Sequence, residues 1–183
     1  MQIENWFVNS RMAIKQSFNG DSDLFCRLLA GTSPISTIEA NVKIAIRVYR
    51  HLKWFGIVPR GGLLGVHYIS VNKLLSNPEK AGRKVWSLYQ NLIGNEDVCP
   101  IDRWVKRYFG LPPERWISDK KYDELENKIR EEARKLNTTA SQRQLQIWCQ
   151  SRENAINSIP TISYGDIILK DRITKEGVLA RLI

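Results

Sequence analysis

The chain has 183 residues, of which 43% are hydrophobic, and its 28 Lys and Arg against 19 Asp and Glu leave a formal net charge of +9. This length suits one domain, and the absence of an apolar run long enough to span a bilayer argues against an integral membrane protein. A basic balance of this size is typical of proteins that bind a polyanion, most often nucleic acid, but it also occurs as a plain solvated surface.

The first residues lack the basic and then apolar plan of a signal peptide, so we expect an intracellular protein, in the cytoplasm, nucleoid or nucleus. The three cysteines, Cys26, Cys99 and Cys149, are far apart and form no CxxC pair. This pattern favours reduced and mostly buried thiols. His51 and His67 have no partner at metal-ligand spacing, and we predict neither a metal site nor a cofactor.

Apolar residues recur at helical spacing along most of the chain and predict a series of amphipathic helices. A cap is expected at Asp21 or Ser22 before the second helix, and at Ser36 or Thr37 before the third. A glycine-rich connector near residues 55–66 separates the third helix from the fourth. The predicted helices cover residues 4–18, 23–30, 38–52, 68–75, 85–92, 100–109, 120–136 and 141–155.

After Pro160 the sequence changes to β-branched residues and turn signals, which predict a small hairpin or an extended strap. We therefore expect one domain over residues 1–183 that is all-α in the main. It would form two helical lobes around a cleft and end in a short irregular or β-rich tail over residues 159–183. We expect this domain to be a monomer with no membrane contact.

The most informative stretch runs from Lys80 to Gly110. Gly82 lies at the entry of a helix whose first turn holds Arg83 and Lys84, and backbone N–H groups beside basic side chains suit a phosphate. Asp102 lies in the first turn of the next helix, where the helix dipole favours its ionised form. A lysine and a carboxylate in one pocket would be reactive, although a solvated lysine and a simple N-terminal acid are the more ordinary interpretation.

This stretch resembles the helix-hairpin-helix-GPD superfamily of base-excision DNA glycosylases, particularly its endonuclease III branch. That branch carries a Gly-Arg-Lys hairpin followed by a catalytic aspartate, and here Lys84 precedes Asp102 by eighteen residues, as in the family pattern. The resemblance covers roughly Asp21–Arg152, with "GTSPIST" at the base-stack loop. Lys80 replaces the first hairpin glycine, Trp86 replaces a small residue, and the four-cysteine iron–sulfur loop is absent.

The resemblance implies a glycosylase that flips an oxidised or deaminated base out of damaged double-stranded DNA, in DNA repair. Asp102 would stabilise positive charge on the sugar, and Lys84 would attack C1′ as a neutral amine. The resulting Schiff base permits β-elimination, the reaction of an AP lyase. We expect burial and Arg83 to lower the pKa of Lys84. The residues predicted to contact DNA are Thr32, Ser33, Lys80, Gly82, Arg83, Arg103 and Lys106.

Two of these assignments have open alternatives. Thr32 and Ser33 would fill the gap left by the flipped base or, as their propensity favours, cap the next helix. Arg103 and Lys106, together with Arg107, would contact phosphates or form a solvated face. The aromatic residues beside them would stack on a base or, more commonly for this pattern, belong to the core: Trp104, Tyr108 and Phe109.

Two other functional classes also remain open. A non-catalytic nucleic-acid-binding protein on the same scaffold is favoured by the replaced hairpin glycine. A helical protein–protein adaptor would explain the amphipathic helices but not the spacing of Lys84 and Asp102. Salt dependence of DNA binding separates the adaptor from the other two classes, because phosphate contacts are weakened steeply by salt.

Overall fold

Helices make up the architecture of the described chain. The structure, a computed structural model, describes residues 5–157 and 162–179, with side chains to residue 171. No strand and no membrane-spanning helix occurs in these ranges. The helices are α1 Trp6–Ser17, α2 Ser22–Gly31, α3 Ile38–Phe55, α4 Gly65–Ser76, α5 Arg83–Ile93, α6 Arg103–Tyr108, α7 Asp119–Lys135, α8 Ala140–Ile156 and α9 Tyr164–Leu179. The mainly all-α prediction is confirmed.

Side-chain caps fix the starts of the three longest helices before α9. Thr37 accepts the N–H of Ala40 at the start of α3, as the sequence predicts, and Ser118 and Thr139 cap α7 and α8 in the same way. Asp21 precedes α2 but makes no cap hydrogen bond.

The Asp21 carboxylate has a different task from the capping role predicted for it. It accepts the Tyr49 hydroxyl at 2.7 Å and pairs with Lys53 Nζ at 2.9 Å. Both partners belong to α3, so Asp21 joins the start of α2 to the C-terminal half of α3. This competition for one carboxylate is the physical reason that the cap is absent.

Two hydrophobic clusters form the interior of the described chain. The first is built mainly from α1–α5 and the start of α9, around fully buried residues such as Phe25, Leu28 and Ile14. The second lies among α6, α7 and α8 and includes Val105, Ile129 and other residues. Trp148 on α8 packs against both clusters, so the junction between them is where a site shared by the two would form.

The C-terminal prediction is wrong over Tyr164–Leu179, which form α9 instead of a hairpin or strap. Tyr164 and Ile168, one helical turn apart, are both buried in the first cluster, and this burial overrides the β preference of the branched residues. Gly165 permits the close crossing of α9 over α1, since a Cβ there would lie 2.8 Å from the Asn9 carbonyl oxygen. The predicted tail residues 159–161 and 180–183 lie outside the described ranges.

A helix, a tight turn and a second helix form the predicted hairpin region. α4 ends at Ser76, a single 3₁₀ turn covers Pro78–Lys80, and α5 begins at Arg83. Downstream, α6 begins at Arg103 and not at Pro100 as predicted. The Tyr122 hydroxyl accepts the Ile101 N–H at 3.0 Å, which holds the preceding backbone away from the helical path. Asp102 is therefore the N-cap residue of α6.

Candidate active site

Asp102 is held by three N–H donors at the start of α6. Its Oδ1 accepts the backbone N–H groups of Trp104 at 2.9 Å and Val105 at 3.1 Å. Its Oδ2 accepts the indole N–H of Trp148 on α8 at 2.9 Å. Both oxygens therefore have a fixed orientation, and the carboxylate lies at the junction of the two hydrophobic clusters.

Lys84 is a half-buried residue in the first turn of α5. Burial of this group lowers the pKa of Lys84, the Asp102 carboxylate acts in the opposite direction, and Arg103 adds to the lowering. Its Nζ makes no hydrogen bond, and no carboxylate lies within 4.0 Å of it, among the residues that the structure describes. Lys84 is thus a desolvated amine whose pKa is affected by the charge of Asp102, although the two groups form no salt bridge.

The cationic neighbour of Lys84 differs from the predicted one. Arg83 does not contribute to the pKa of Lys84, whereas Arg103 does. The reason is direction: the Arg83 guanidinium lies 2.6 Å from Asp123 Oδ1 and stacks over the Tyr122 ring at 4.1 Å. Its positive charge is thereby committed to α7.

A buried chain of polar side chains joins α9, α3 and the end of α2. Tyr164 accepts the amide N–H of Asn41 at 3.2 Å, and Asn41 Oδ1 lies 2.6 Å from Thr32 Oγ1. Burial raises the pKa of Tyr164 to about 12, and the Asp102 charge adds to this effect. The sequence prediction missed Asn41, Tyr164 and Trp148. Only Asn41 carried a signal, a polar residue on the otherwise apolar face of its helix with Ile38 and Val42.

Thr32 and Ser33 are buried, and the helix-capping role predicted for them belongs to Thr37. Thr32 is fully buried at the C-terminal end of α2, where its hydroxyl donates to the Leu28 carbonyl at 2.8 Å. Ser33 is also buried, and its Oγ has no hydrogen-bond partner. Since Thr37 caps α3, neither residue is a helix cap for α3, and neither is accessible to DNA in this structure.

The exposed apolar residue of the same loop is Ile35. It is 85% exposed and has a left-handed backbone with φ +60°, which is unusual for a β-branched residue. His67 Nε2 donates to the preceding Pro34 carbonyl at 2.6 Å, and Ser36 Oγ donates to the Thr32 carbonyl at 2.9 Å. The buried His67 of α4 therefore anchors a loop that presents an isoleucine to solvent.

Of the remaining residues predicted to contact DNA, some are exposed to solvent and others are bonded to other parts of the protein. Lys80 and Gly82 are exposed in the turn before α5. Gly82 has an extended backbone, and a Cβ added to it would meet no atom within 4 Å, so the fold itself does not require glycine there. Arg103 is exposed, whereas Lys106 Nζ donates to the Arg115 carbonyl at 2.8 Å. Its hydrogen bond ties Lys106 to the loop after α6.

Other nucleophiles and grooves do not compete with the pair Lys84 and Asp102. Burial raises the pKa of Cys26 to about 12 and that of Cys149 to about 11, and the pKa of Cys99 is shifted in the same direction. These buried thiols stay protonated and unreactive at neutral pH. A groove of about 770 Å³ runs along residues 51–75, and a second of about 430 Å³ lies near Trp116; neither is lined by the pair.

The comparisons with known proteins identify a family. Residues 2–155 match the model of the Family of unknown function (DUF7178), and the chain therefore belongs to this family. The matched range includes α1 through nearly all of α8, with both Lys84 and Asp102. No curated protein and no solved structure matches the chain.

Proposed function

We propose that this member of the DUF7178 family is a DNA glycosylase of the helix-hairpin-helix-GPD type, which excises an oxidised or deaminated base and cleaves the strand as an AP lyase. One observation carries the proposal: the desolvated Lys84 amine lies in the field of an immobilised Asp102 carboxylate at the junction of two helical clusters. A merely structural lysine would be solvated or paired. Its lack of a hydrogen bond leaves the amine available for chemistry.

Asp102 suits the first step of base removal. Breaking the N-glycosidic bond leaves positive charge on the sugar, and a fixed carboxylate stabilises that charge without first having to reorient. The two backbone donors and the Trp148 indole supply this fixed orientation. Asp102 acts here by electrostatics, so it keeps its negative charge throughout.

Lys84 suits the same bond-breaking step and the step that follows it. A lowered pKa increases the fraction of neutral amine, whose lone pair forms a bond to C1′ while the bond between C1′ and the base breaks. The base leaves with the electron pair of the broken C1′–N bond and takes up a proton that the attacking amine gives up. The C1′–O4′ bond then breaks, O4′ keeps its electron pair and takes a proton, and the opened sugar is left as a Schiff base between Nζ and C1′. Loss of a C2′ proton then expels the 3′ phosphate, whose oxygen keeps the electron pair of the C3′–O bond.

We assign one DNA contact to the turn between α4 and α5, which would bind a phosphate, and another to the loop that carries Ile35, which would fill the vacated base position. The first N–H groups of α5 have no side-chain cap, and Gly82 leaves open space beside them for a phosphate. We assign the filling of the vacated base position to Ile35, in place of the buried Thr32 and Ser33. An exposed apolar side chain on an anchored loop can insert between bases.

A lesion panel tests this function. Duplexes that carry uracil, oxidised guanine, oxidised pyrimidine, alkylated purine or an abasic site are incubated with the protein, and base release and strand cleavage are measured separately. We expect release from at least one oxidised or deaminated base, together with cleavage at the abasic site. Binding of these duplexes with no release from any lesion would overturn the glycosylase assignment.

The second candidate is a non-catalytic DNA-binding protein on the same scaffold. It is supported by Lys80, an exposed lysine where the family hairpin has its first glycine, because an added cation strengthens phosphate binding without serving catalysis. This candidate does not account for a buried amine beside a fixed carboxylate. Binding that persists in Lys84→Gln, with a wild type that releases no base, would favour it.

A further inference from the structure

Three guanidinium groups surround the indole of Trp104. Arg103 lies 4.9 Å, Arg107 5.0 Å and Arg152 5.7 Å from the centre of this ring. The first two arginines come from α6, one helical turn apart, and the third comes from α8. Two elements that are distant in sequence therefore bring positive charge to the same indole ring, an arrangement that Arg favours through cation–π stacking.

These three arginines have no anionic partner in the described part of the chain. None of them forms a salt bridge or a side-chain hydrogen bond there, and the buried Nε of Arg152 has no acceptor at all. Other arginines do pair with carboxylates, namely Arg11, Arg27, Arg50, Arg83, Arg130 and Arg143. Like charges gathered without a counter-ion repel one another, and a bound anion would remove that cost.

We propose that Arg103, Arg107 and Arg152 form a phosphate-binding site around Trp104, and that its ligand is a phosphate group of the DNA strand at the Lys84–Asp102 site. The identity of the strand rests on the proposed function; the preference for phosphate rests on the guanidinium groups. Guanidinium forks match phosphate oxygens in geometry and bind them through charge-assisted hydrogen bonds.

The site is linked to the candidate active site by direct contacts. Arg103 follows Asp102 in sequence and acts on the pKa of Lys84. Arg152 also stacks over Trp148 at 4.9 Å, and Trp148 donates to Asp102. A phosphate held by the three arginines would therefore fix the strand next to the reacting sugar and steady the indole that orients Asp102.

Two kinds of DNA phosphate group have the chemistry that this site would bind. An internal phosphodiester carries one negative charge, whereas a terminal phosphomonoester carries nearly two. The second kind is also what β-elimination would leave at the new 5′ end. Duplexes with a 5′ phosphate and with a 5′ hydroxyl, otherwise identical, distinguish the two sources.

The test measures how binding to undamaged duplex DNA depends on salt concentration. Fluorescence anisotropy gives the affinity of the wild type, of Arg107→Gln and Arg152→Gln, and of the control Arg134→Gln. Arg134 is exposed on α7, so the control removes the same charge from another surface. The slope of log affinity against log salt should flatten by about 1 in each cluster variant, since each phosphate contact releases about one counter-ion. The control should keep the wild-type slope.

The results distinguish the two kinds of phosphate from each other and from the absence of a site. Equal flattening on both duplexes assigns an internal phosphodiester, and a loss of preference for the 5′ phosphate assigns a terminal one. Slopes in Arg107→Gln and Arg152→Gln that match Arg134→Gln would overturn the site, as would a wild type that binds no DNA. Because Arg107 is exposed, its variant remains informative even if Arg152→Gln fails to fold. Undamaged DNA requires no base release, so a failed glycosylase assay leaves this result intact.

Discussion

Arg83 and Lys84 are adjacent in sequence and in the first turn of α5, yet their charges have opposite surroundings. Arg83 is tied to α7, with Asp123 Oδ1 at 2.6 Å, Glu126 Oε2 at 3.5 Å and the Tyr122 ring beneath it. Lys84 has a pKa lowered by burial and makes no hydrogen bond in the described part of the chain. The charge of Arg83 therefore stabilises the folded chain, whereas the desolvated charge of Lys84 destabilises it.

The difference shows how to separate a structural charge from a functional one. Successive helical residues point about 100° apart, so the two side chains of one Gly-Arg-Lys step reach different elements. A paired charge lowers the energy of the folded chain, whereas an unpaired buried charge is kept at a cost in stability. Such a cost is common at functional sites, where activity and stability compete.

Asp102 is where the largest effect is expected, because it alone supplies a fixed negative charge beside Lys84. Asp102→Asn should slow single-turnover base release by about 10²–10³-fold, the range for loss of one preorganised electrostatic group. DNA affinity should change less than about twofold, since Asp102 contacts no phosphate in the proposal. The asparagine keeps the helix cap but presents its NH₂ to the Trp148 N–H, which should cost about 1 kcal/mol of stability.

Asp119→Asn is the matched control for this substitution. Its carboxylate is 83% exposed in the first turn of α7, so the control removes one acidic charge near the start of another helix. The control should release base at the wild-type rate. Equal rates for Asp102→Asn and wild type would remove Asp102 from the chemistry, and equal losses in both variants would indicate a non-specific charge effect.

The same substitution at the two neighbours should change stability in opposite directions. Arg83→Met removes the partner of Asp123 and Glu126 and should lower the free energy of unfolding by about 2 kcal/mol, less than for a fully buried pair because the cluster is partly exposed. Lys84→Met removes a desolvated charge and should raise it by about 1 kcal/mol. Urea unfolding at neutral pH measures both. A Lys84→Met variant less stable than wild type would show that the lysine is a structural residue.

The stabilising effect of Lys84→Met should also depend on pH in one direction. The folded chain holds Lys84 with a pKa below its ordinary value of 10.5. Between the folded pKa and 10.5 the unfolded chain binds more protons, so wild-type stability rises with pH in that window. The advantage of Lys84→Met is therefore complete below the folded pKa and disappears as pH approaches 10.5. A difference that stays constant from about pH 7 to 10 would contradict a lowered pKa.

Substitution of Ile35 should have the smallest effect on base release among these variants. Ile35→Gly removes the left-handed strain of a β-branched residue and should raise stability by up to about 1 kcal/mol. It also removes the side chain assigned to the vacated base position, so base release from a paired lesion should slow severalfold. Release from the same lesion in single-stranded DNA should be unaffected, since no gap has to be filled there. Equal slowing on both substrates would exclude the insertion role.

Helical periodicity was sufficient to predict the helices up to α8, with ends within three residues, because each carries a clear apolar stripe. The family resemblance predicted that Lys84 and Asp102 share one site, and no hydrogen bond or salt bridge joins them in the described part of the chain. The chemistry assigned to them stays a prediction. α9 was missed because burial of Tyr164 and Ile168 outweighs local propensity, which only the assembled core reveals.

Long-range side-chain choices were beyond the sequence. Nothing in "GRK" indicates that the arginine turns to α7, and nothing near Asp102 indicates that Arg152 and Trp148 come from α8 to join it. The burial of Thr32 and the contact of its hydroxyl with Asn41 on α3 were not indicated by the sequence either. Such pairings are fixed by packing, not by spacing along the chain.

Borohydride trapping tests the central claim most directly, because the reagent reduces a Schiff base to a stable amine and marks the lysine that formed it. We expect the wild type to be cross-linked to a duplex containing an abasic site, and Lys84→Gln to give no cross-link. Lys128→Gln, which removes an exposed lysine on α7, should be trapped as efficiently as wild type. A cross-link that persists in Lys84→Gln, or none in the wild type, would contradict the assignment of Lys84 as the nucleophile.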